Sequence, residues 1–304
     1  MMRPLGKTIL ISGQSGLIGT SLIRSFSSDR IQPIRLVRRT AETPDEVCWN
    51  PDAVEPVKDL SRLEDAQAAI HLSGSGLSAR RWTEAYKREI AESRVRTTQA
   101  LVKMLKGLKN PPQSLLCASA TGIYGDRGDE ILTERSAIGR GFLADTCRAW
   151  EAEADRAAEA GIRVVHLRFG VVLASEGGAL QQMLPLFRLG LGGRLGSGRQ
   201  WMSWIALSDL VRAVSHILQA DSLAGAVHLV APIPVTNAGF TRALGAAVHR
   251  PAILPAPAFA LRAAFGEMAD AALLASTRAV PERLAGSGFH FNFPEITGAL
   301  QSIL

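Results

Sequence analysis

The sequence predicts an α/β protein: a doubly wound parallel sheet with a small, mainly helical C-terminal cap. Three observations carry that expectation. Short apolar runs alternate with stretches of helical periodicity along most of the chain, as parallel sheets require. The first such run turns into its helix through regularly spaced glycines. From about residue 231 the chain becomes rich in alanine and proline and reads as helical. The 304 residues suffice for one large domain or two interleaved ones, and 47% hydrophobic with 20% charged residues is the profile of a globular protein.

The first element lies in KTILISGQSGLIGTSLIRSF, residues 7–26. Residues 8–11 form an apolar, β-branched run that suits a buried strand. Gly13, Gly16 and Gly19 follow, and Leu17, Ile18, Leu22, Ile23 and Phe26 recur at helical spacing. A strand that turns through glycines into a helix aims backbone N–H groups and a positive helix end at one point, which suits a pyrophosphate. Gly13 lets the chain turn, Gly16 lets the backbone approach the phosphates, and Gly19 lets the helix pack close. The expectation is a Rossmann-type dinucleotide site using Gly13, Ser15, Gly16, Leu17, Ile18 and Gly19.

A second strand over 33–37 ends in Arg38-Arg39. An NAD site usually carries Asp or Glu at this strand end; a guanidinium pair instead matches a 2′-phosphate in charge and geometry. NADP(H) is therefore the expected cofactor. Residues 40–66 read as irregular. Residues 68–72 form the next strand, followed by Ser73-Gly74-Ser75-Gly76, small enough for backbone to approach a cofactor. A long helix over about 83–107 carries Glu89, Ser93, Arg94 and Thr97 on one face. On spacing alone that face reads as surface salt bridges.

Residues 113–118 form a strand that runs into Ser119-Ala120-Thr121-Gly122-Ile123-Tyr124-Gly125. Hydroxyls at the C-terminal end of a central parallel strand stand where open α/β sheets place their chemistry. A helix over about 142–160, a strand over 162–167 ending at Arg168, a helix capped by Ser208 and running to about 219, and a last strand over 227–230 continue the pattern. Between them RLGLGGRLGSGRQWMSW, residues 188–204, is glycine-rich but lacks a P-loop ending. Arg194 and Arg199 beside Trp201 suit an anionic, ring-bearing substrate; a flexible connection without a ligand fits the same residues. The sheet domain is expected to comprise 1–175 with 205–230 returning to it, and the cap 176–204 with 231–304.

Several classes are excluded. Three scattered cysteines and six scattered histidines show neither a disulfide framework nor metal-ligand spacing. A net charge of +6 and a pI near 9.6 invite nucleic acid, but the arginines are dispersed and no basic run is interleaved with aromatics. The apolar stretch 252–275 is broken by Pro255, Pro257, Arg262, Glu267 and Asp270, so no membrane span is expected. The leading MMRPLG is too short for a signal peptide, and a cytoplasmic location is expected. The expected partner is a small-molecule substrate; no oligomeric state is legible.

Longer motifs extend the argument. GQSGLIG at 13–19, HLSGSGL at 71–77, RRWTEAYKREIAESR at 80–94, SATGIYGDRGDE at 119–130, RFGVVL at 168–173, GLGGRLGSGRQWMSWIALSDL at 190–210 and APIPVTN at 231–237 together resemble the extended short-chain dehydrogenase/reductase superfamily. They are most similar to its atypical epimerase-like family, often labelled sugar-nucleotide epimerases or cell-division-inhibitor-like proteins. FGEMADAALLASTRAVPERLAGSGFHF at 265–291 resembles that family's C-terminal module. The resemblance implies that Arg39 meets the 2′-phosphate with Arg38 beside it, and that Leu72 and Ser73 line the cofactor. It also implies that Glu89 and Arg94 face the cofactor, with Val172 near the nicotinamide. Two departures are visible: Ser73-Gly74-Ser75 replaces Ala-Gly-Glu, and Ala206 replaces the histidine of W-I-H-x-x-D.

The superfamily activates a substrate hydroxyl with a Tyr whose pKa is lowered by a Lys four residues later. Here Tyr86 is followed four residues on by Ile90 and Tyr124 by Gly128, and no lysine follows Lys109. Counted back from Trp150-Glu151, the dyad positions hold Leu143 and Cys147. Two readings stay open. One is an NADP-dependent oxidoreductase or epimerase using Ser119 and Tyr124, with Tyr124 serving equally well as a pocket wall. The other is an NADP(H)-binding, redox-responsive or partner-binding protein without fast turnover.

Overall fold

The computed structural model describes residues 8–29 and 31–304; residues 1–7, with the leading MMRPLG, and Arg30 lie outside the described residues. The chain opens with β1 (Thr8–Ser12), α1 (Leu17–Ser28), β2 (Gln32–Val37), β3 (Glu46–Cys48) and β4 (Ala68–His71). Helix α2 (Glu84–Lys106) leads to β5 (Ser114–Ala120), β6 (Ile131–Leu132), α3 (Phe142–Asp155) and β7 (Arg163–Phe169). Next come β8 (Val171–Leu173), α4 (Gly178–Arg188), β9 (Trp201–Met202), β10 (Trp204–Ala206), α5 (Leu207–Gln219) and β11 (Gly225–Leu229). The C-terminal part holds β12 (Val235–Thr236), α6 (Asn237–Ala247), α7 (Ala258–Phe265), β13 (Arg278–Ala279), α8 (Glu282–Gly286) and α9 (Ile296–Ile303).

Seven strands form one parallel sheet in the order β11-β7-β5-β4-β1-β2-β3. The winding reverses between β1 and β4, whose registered ends are Ser12 and His71. The crevice beyond such a reversal is where open α/β sheets bind ligands. Strand β5 is buried from Ser114 to Ser119, as a central strand covered on both faces must be. On one face Leu101 and Leu105 of α2 and Trp150 and Ala154 of α3 pack against Leu10, Leu36 and Leu115. On the other, Leu22 and Phe26 of α1 and Leu210, Val214 and Ile217 of α5 meet Ile9, Ile11 and Val165. Each fully buried side chain of this size contributes about 1.5–3 kcal/mol relative to exposure. The predicted fold class is the one observed.

The C-terminal helices build a third cluster with α4: Leu180, Leu184 and Phe187 pack with Phe240, Leu244 and Leu300. Two-residue pairings tie this part to the rest, β13 beside β6 and β12 beside β9. Two local expectations change. Strand β3 joins the sheet edge from a segment that reads as irregular. Ser208 does not cap α5, which starts after Ala206 without a side-chain cap. Its neighbour Asp209, fully buried, instead accepts the backbone N–H groups of Asn292 at 3.0 Å and Phe293 at 2.8 Å. Asp209 thereby pins the C-terminal segment to α5.

Candidate functional site

A cleft of about 470 Å³ opens at the C-terminal ends of β1, β2 and β4. Gly13, Ser15 and Gly16 form its floor, Leu72, Ser73 and Gly74 one side, and Arg38 and Glu89 reach its rim. The glycines answer to geometry. Gly13 has φ +74°, and a Cβ there would stand 2.6 Å from the Leu72 carbonyl carbon. A Cβ at Gly19 would meet the Gly13 carbonyl oxygen at 2.4 Å, so only glycine lets α1 close on the turn. A Cβ at Gly16 would find nothing nearer than that same oxygen at 3.5 Å; the space above this backbone is open. Helix α1 begins at Leu17 with no side-chain cap and no acid in its first turn, which leaves its terminal N–H groups for a ligand. Leu17 itself supports Gly177, 3.3 Å from a Cβ built there, at the entrance to α4. Ile18 packs into the sheet core, and Val172, paired with Ile205, packs beside it.

Beneath the switch point a hydrogen-bonded chain joins β1, β4 and α2. Ser12 Oγ lies 2.6 Å from His71 Nδ1, and Thr97 Oγ1 lies 3.2 Å from His71 Nε2. Full burial pushes the His71 imidazole down to about 3, so it is neutral.

The two strand-end arginines part company. Arg38 lines the cleft and has no hydrogen-bond or ion-pair partner among the described residues. Arg39 instead forks onto buried Glu46 of β3, at 2.9 and 2.7 Å. The sequence supplied no sign of Glu46, because a three-residue strand has no readable periodicity. Trp49, Pro51, Asp52 and Arg96 also line the cleft without having been anticipated.

Arg94 does not line that cleft. Its guanidinium stacks 5.2 Å over Trp150, donates to the Ile90 carbonyl at 2.9 Å and presses up to Gly74, whose Cβ would lie 3.2 Å from Arg94 Cζ. No carboxylate pairs with it among the described residues. Cys147 is close enough for its thiol to feel this charge, yet burial pushes that thiol up to about 11. Leu143 joins an apolar plug with Trp82, Tyr86, Ile90 and Met268. Leu143 is thus an aliphatic side chain in an apolar cluster, and Cys147 a thiol that burial keeps protonated.

Ser119 and Tyr124 belong to one buried network. Ser119 Oγ donates to Glu151 Oε1 at 2.6 Å. Arg168 Nε donates to Glu151 Oε1 at 2.9 Å, its Nη2 to Oε2 at 2.8 Å, and its Nη1 to the Tyr124 hydroxyl at 2.7 Å. Burial is the largest single influence on the Glu151 carboxyl and would raise it; the hydrogen bonds and charge of Arg168, with contributions from His166 and Ser119, together outweigh it and hold the group below its ordinary range. His228 Nδ1 lies 2.8 Å from the Val280 carbonyl, which requires Nδ1–H and leaves Nε2 to accept from Tyr124 at 2.5 Å. The phenol is fully buried and pushed up to about 12, chiefly by that burial. Its hydroxyl is engaged by His228 and Arg168, and Tyr124 is not among the residues that line the cleft over β1, β2 and β4.

Arg194, Arg199 and Trp201, from the 188–204 segment, do not line this cleft. Arg194 Nη1 donates to the Ser197 carbonyl at 3.1 Å, and Arg199 is exposed. Trp201 Nε1 donates to Asp129 at 2.7 Å while Arg278 stacks on its ring at 4.1 Å. Among the described residues no His, Cys, Asp and Glu cluster could hold a metal ion, and no helix is long and apolar enough to cross a membrane.

A parallel sheet with a glycine-floored cleft at its winding reversal defines a dinucleotide-binding α/β protein. The chain belongs to the NAD dependent epimerase/dehydratase family, within the extended short-chain dehydrogenases, with that family's description matching residues 9–230. Residues 256–303 match a domain of unknown function, DUF1731. Among its relatives, the epimerase family protein Mb2239 of Mycobacterium bovis is 43% identical over 292 residues, covering 96% of each chain. The human epimerase family protein SDR39U1 is 34% identical over 97% of this chain and 99% of its own. The crystal structure of the human protein (isoform2) with NADPH superposes with a TM-score of 0.88 at 32% identity, covering 97% of this chain and 98% of that one. A nucleoside-diphosphate sugar epimerase from Corynebacterium glutamicum gives a TM-score of 0.79 at 33% identity, covering 99% of this chain and 58% of its own.

Proposed function

We propose that this protein is an NADP(H)-dependent oxidoreductase or epimerase acting on a small molecule, nucleotide sugars being one candidate class. The observation that carries the proposal is the cleft itself: an uncapped helix start over Gly13 and Gly16, with the unpaired Arg38 at the end of β2. A pyrophosphate fits the open backbone at Gly16, and a 2′-phosphate fits the strand end, where Glu46 fixes Arg39 beside Arg38. The human relative crystallised with NADPH supports the same cofactor.

When bound, the nicotinamide supplies hydride exchange; the chain must orient it and manage charge. Glu89 and the Leu72–Gly74 segment are assigned to the cofactor wall, and Val172 to the nicotinamide side. Arg94, a cation without a carboxylate partner beside the dyad positions, supplies there the positive charge that a lysine would bring, though it cannot release a proton. Ser119, next to last in β5, is assigned the hydrogen bond to the substrate oxygen, its hydroxyl turning away from Glu151 to make it, while Tyr124 holds Arg168 and, through it, Glu151. Residues 176–204 and 231–304 are assigned to a substrate cap, with Arg194, Arg199 and Trp201 as its candidate contacts.

The test is a screen of carbonyl compounds and nucleotide sugars for NADPH oxidation. The expected result is turnover that falls by about a hundredfold or more in Ser119→Ala, the loss that follows removal of an oxyanion donor, with NADPH affinity kept. The second reading, a redox-responsive binding protein, is favoured by one observation: the Ser119 and Tyr124 hydroxyls are already engaged inside the fold. It wins if no compound is turned over and a partner protein's affinity changes with the cofactor's redox state.

A further inference from the structure

The cleft holds a second guanidinium besides that of Arg38. Arg96 stands on α2, on the same cleft wall as Ser93 and Thr97. Asp52 stands opposite, on the turn that follows β3, and the two are joined at 2.7 Å. Both line the cleft that Arg38 also lines. Their side chains are 56% and 63% exposed, so the pair is screened by water and easily exchanged. A phosphate dianion offers more charge and more acceptor oxygens than one carboxylate, and it binds guanidinium groups more strongly. Arg39, by contrast, is already forked onto Glu46, whose carboxylate is buried and also accepts the Glu42 backbone N–H at 2.9 Å.

The turn carrying Asp52 does not depend on the ion pair. Asn50 donates its N–H to the Pro56 carbonyl at 2.8 Å, and the Asp52 N–H reaches Asn50 Oδ1 at 3.0 Å. Lys103 of α2 also holds the Val54 carbonyl at 2.9 Å. Releasing Arg96 therefore leaves the wall of the cleft standing and frees only the guanidinium.

We infer that Arg96 is a specificity-determining residue: it leaves Asp52 for the cofactor's 2′-phosphate and grips it opposite Arg38. Asp52 is then the competing anion that tempers the preference for NADP(H). The inference rests on the proposed cofactor and adds a residue from α2 to a selectivity that the strand end alone would otherwise carry.

Two nucleotides that differ only in the phosphate test it by calorimetry on the full chain: 2′,5′-ADP and 5′-ADP. Arg96→Gln is expected to weaken 2′,5′-ADP by about tenfold, the scale of one charge-assisted phosphate contact, and to leave 5′-ADP within about twofold. Asp52→Asn is expected to tighten 2′,5′-ADP relative to 5′-ADP. Equal losses for both nucleotides in Arg96→Gln, or no loss, overturn the assignment. An unchanged ratio in Asp52→Asn overturns the competition. A parent chain that binds neither nucleotide instead fails the cofactor proposal itself. Both side chains are exposed, so the variants keep the fold, which unchanged thermal melts verify.

Discussion

Along the cleft over β1 and β4, polar groups face outward with capacity to spare. Arg38 has no partner among the described residues, Arg96 and Asp52 have one exposed bond to each other, and the α1 start is uncapped. At the end of β5 the same kinds of group are closed on one another. Ser119, Glu151, Arg168, Tyr124 and His228 form one chain, and each of them is buried. The difference separates two uses of polarity. Unsatisfied capacity facing water is capacity for a ligand. Satisfied capacity away from water fixes strands, here β5, β7 and β11 together with the Val280 segment, because any unmet group there is costly.

Substitutions at the two regions should therefore fail in different ways. The largest effect belongs to the ion pair. Glu151→Gln leaves the Arg168 guanidinium buried without its counter-charge and should destabilise the fold by about 3–5 kcal/mol in urea unfolding. A loss below about 1 kcal/mol would break the contrast, because the network would then behave like a surface pair.

His71, under the switch point, comes next. Its folded pKa lies near 3 against an ordinary 6.5, so between those values the unfolded chain binds a proton that the native chain does not. Stability must then fall as pH drops through that window, by up to about 1.4 kcal/mol per pH unit. Burial lowers His228 too and adds to the same slope. Unfolding curves at pH 7 and pH 5 should show a smaller difference in His71→Asn than in the parent; an equal difference refutes the buried neutral imidazole.

Tyr124→Phe removes a hydroxyl that joins Arg168 to His228, and should cost about 1–3 kcal/mol of stability. NADPH affinity should not move. A large loss of affinity with unchanged stability would put the phenol in the cleft after all. Gly16→Ala is the opposite case. The fold has room for that methyl, so the melting temperature should hold, while NADPH affinity drops by about tenfold because the backbone can no longer approach the pyrophosphate. Gly19→Ala, with its 2.4 Å encounter, should lose stability as well as affinity.

What was legible in the sequence follows the same division. The β1 turn was readable because a helix packed against a turn admits few residues other than glycine, and Gly13 and Gly19 sit where a Cβ would collide. The strand-end arginines were readable as a pair but not as individuals, since Glu46 lies seven residues beyond Arg39 on a strand too short to see. The network could not be read at all as a network. Glu151 and Arg168 stand on α3 and β7, and His228 comes from β11, so only the strand order brings them together. Ser208 was expected to act as a cap because it precedes a helical pattern, but the helix had already begun and the polar work passed to Asp209. Asp52 and Arg96 carried no local signal, because an exposed pair between a turn and a helix has no sequence spacing.

The central claim is that the cleft takes NADP(H) through guanidinium groups at the end of β2. Calorimetric titration of NADPH and NADH against the parent and an Arg38→Ala/Arg39→Ala double variant tests it most directly. The account predicts NADPH bound at least about tenfold more tightly than NADH by the parent, with the preference largely lost in the double variant. Equal affinities in the parent, or a double variant that keeps the parent's preference, would contradict it.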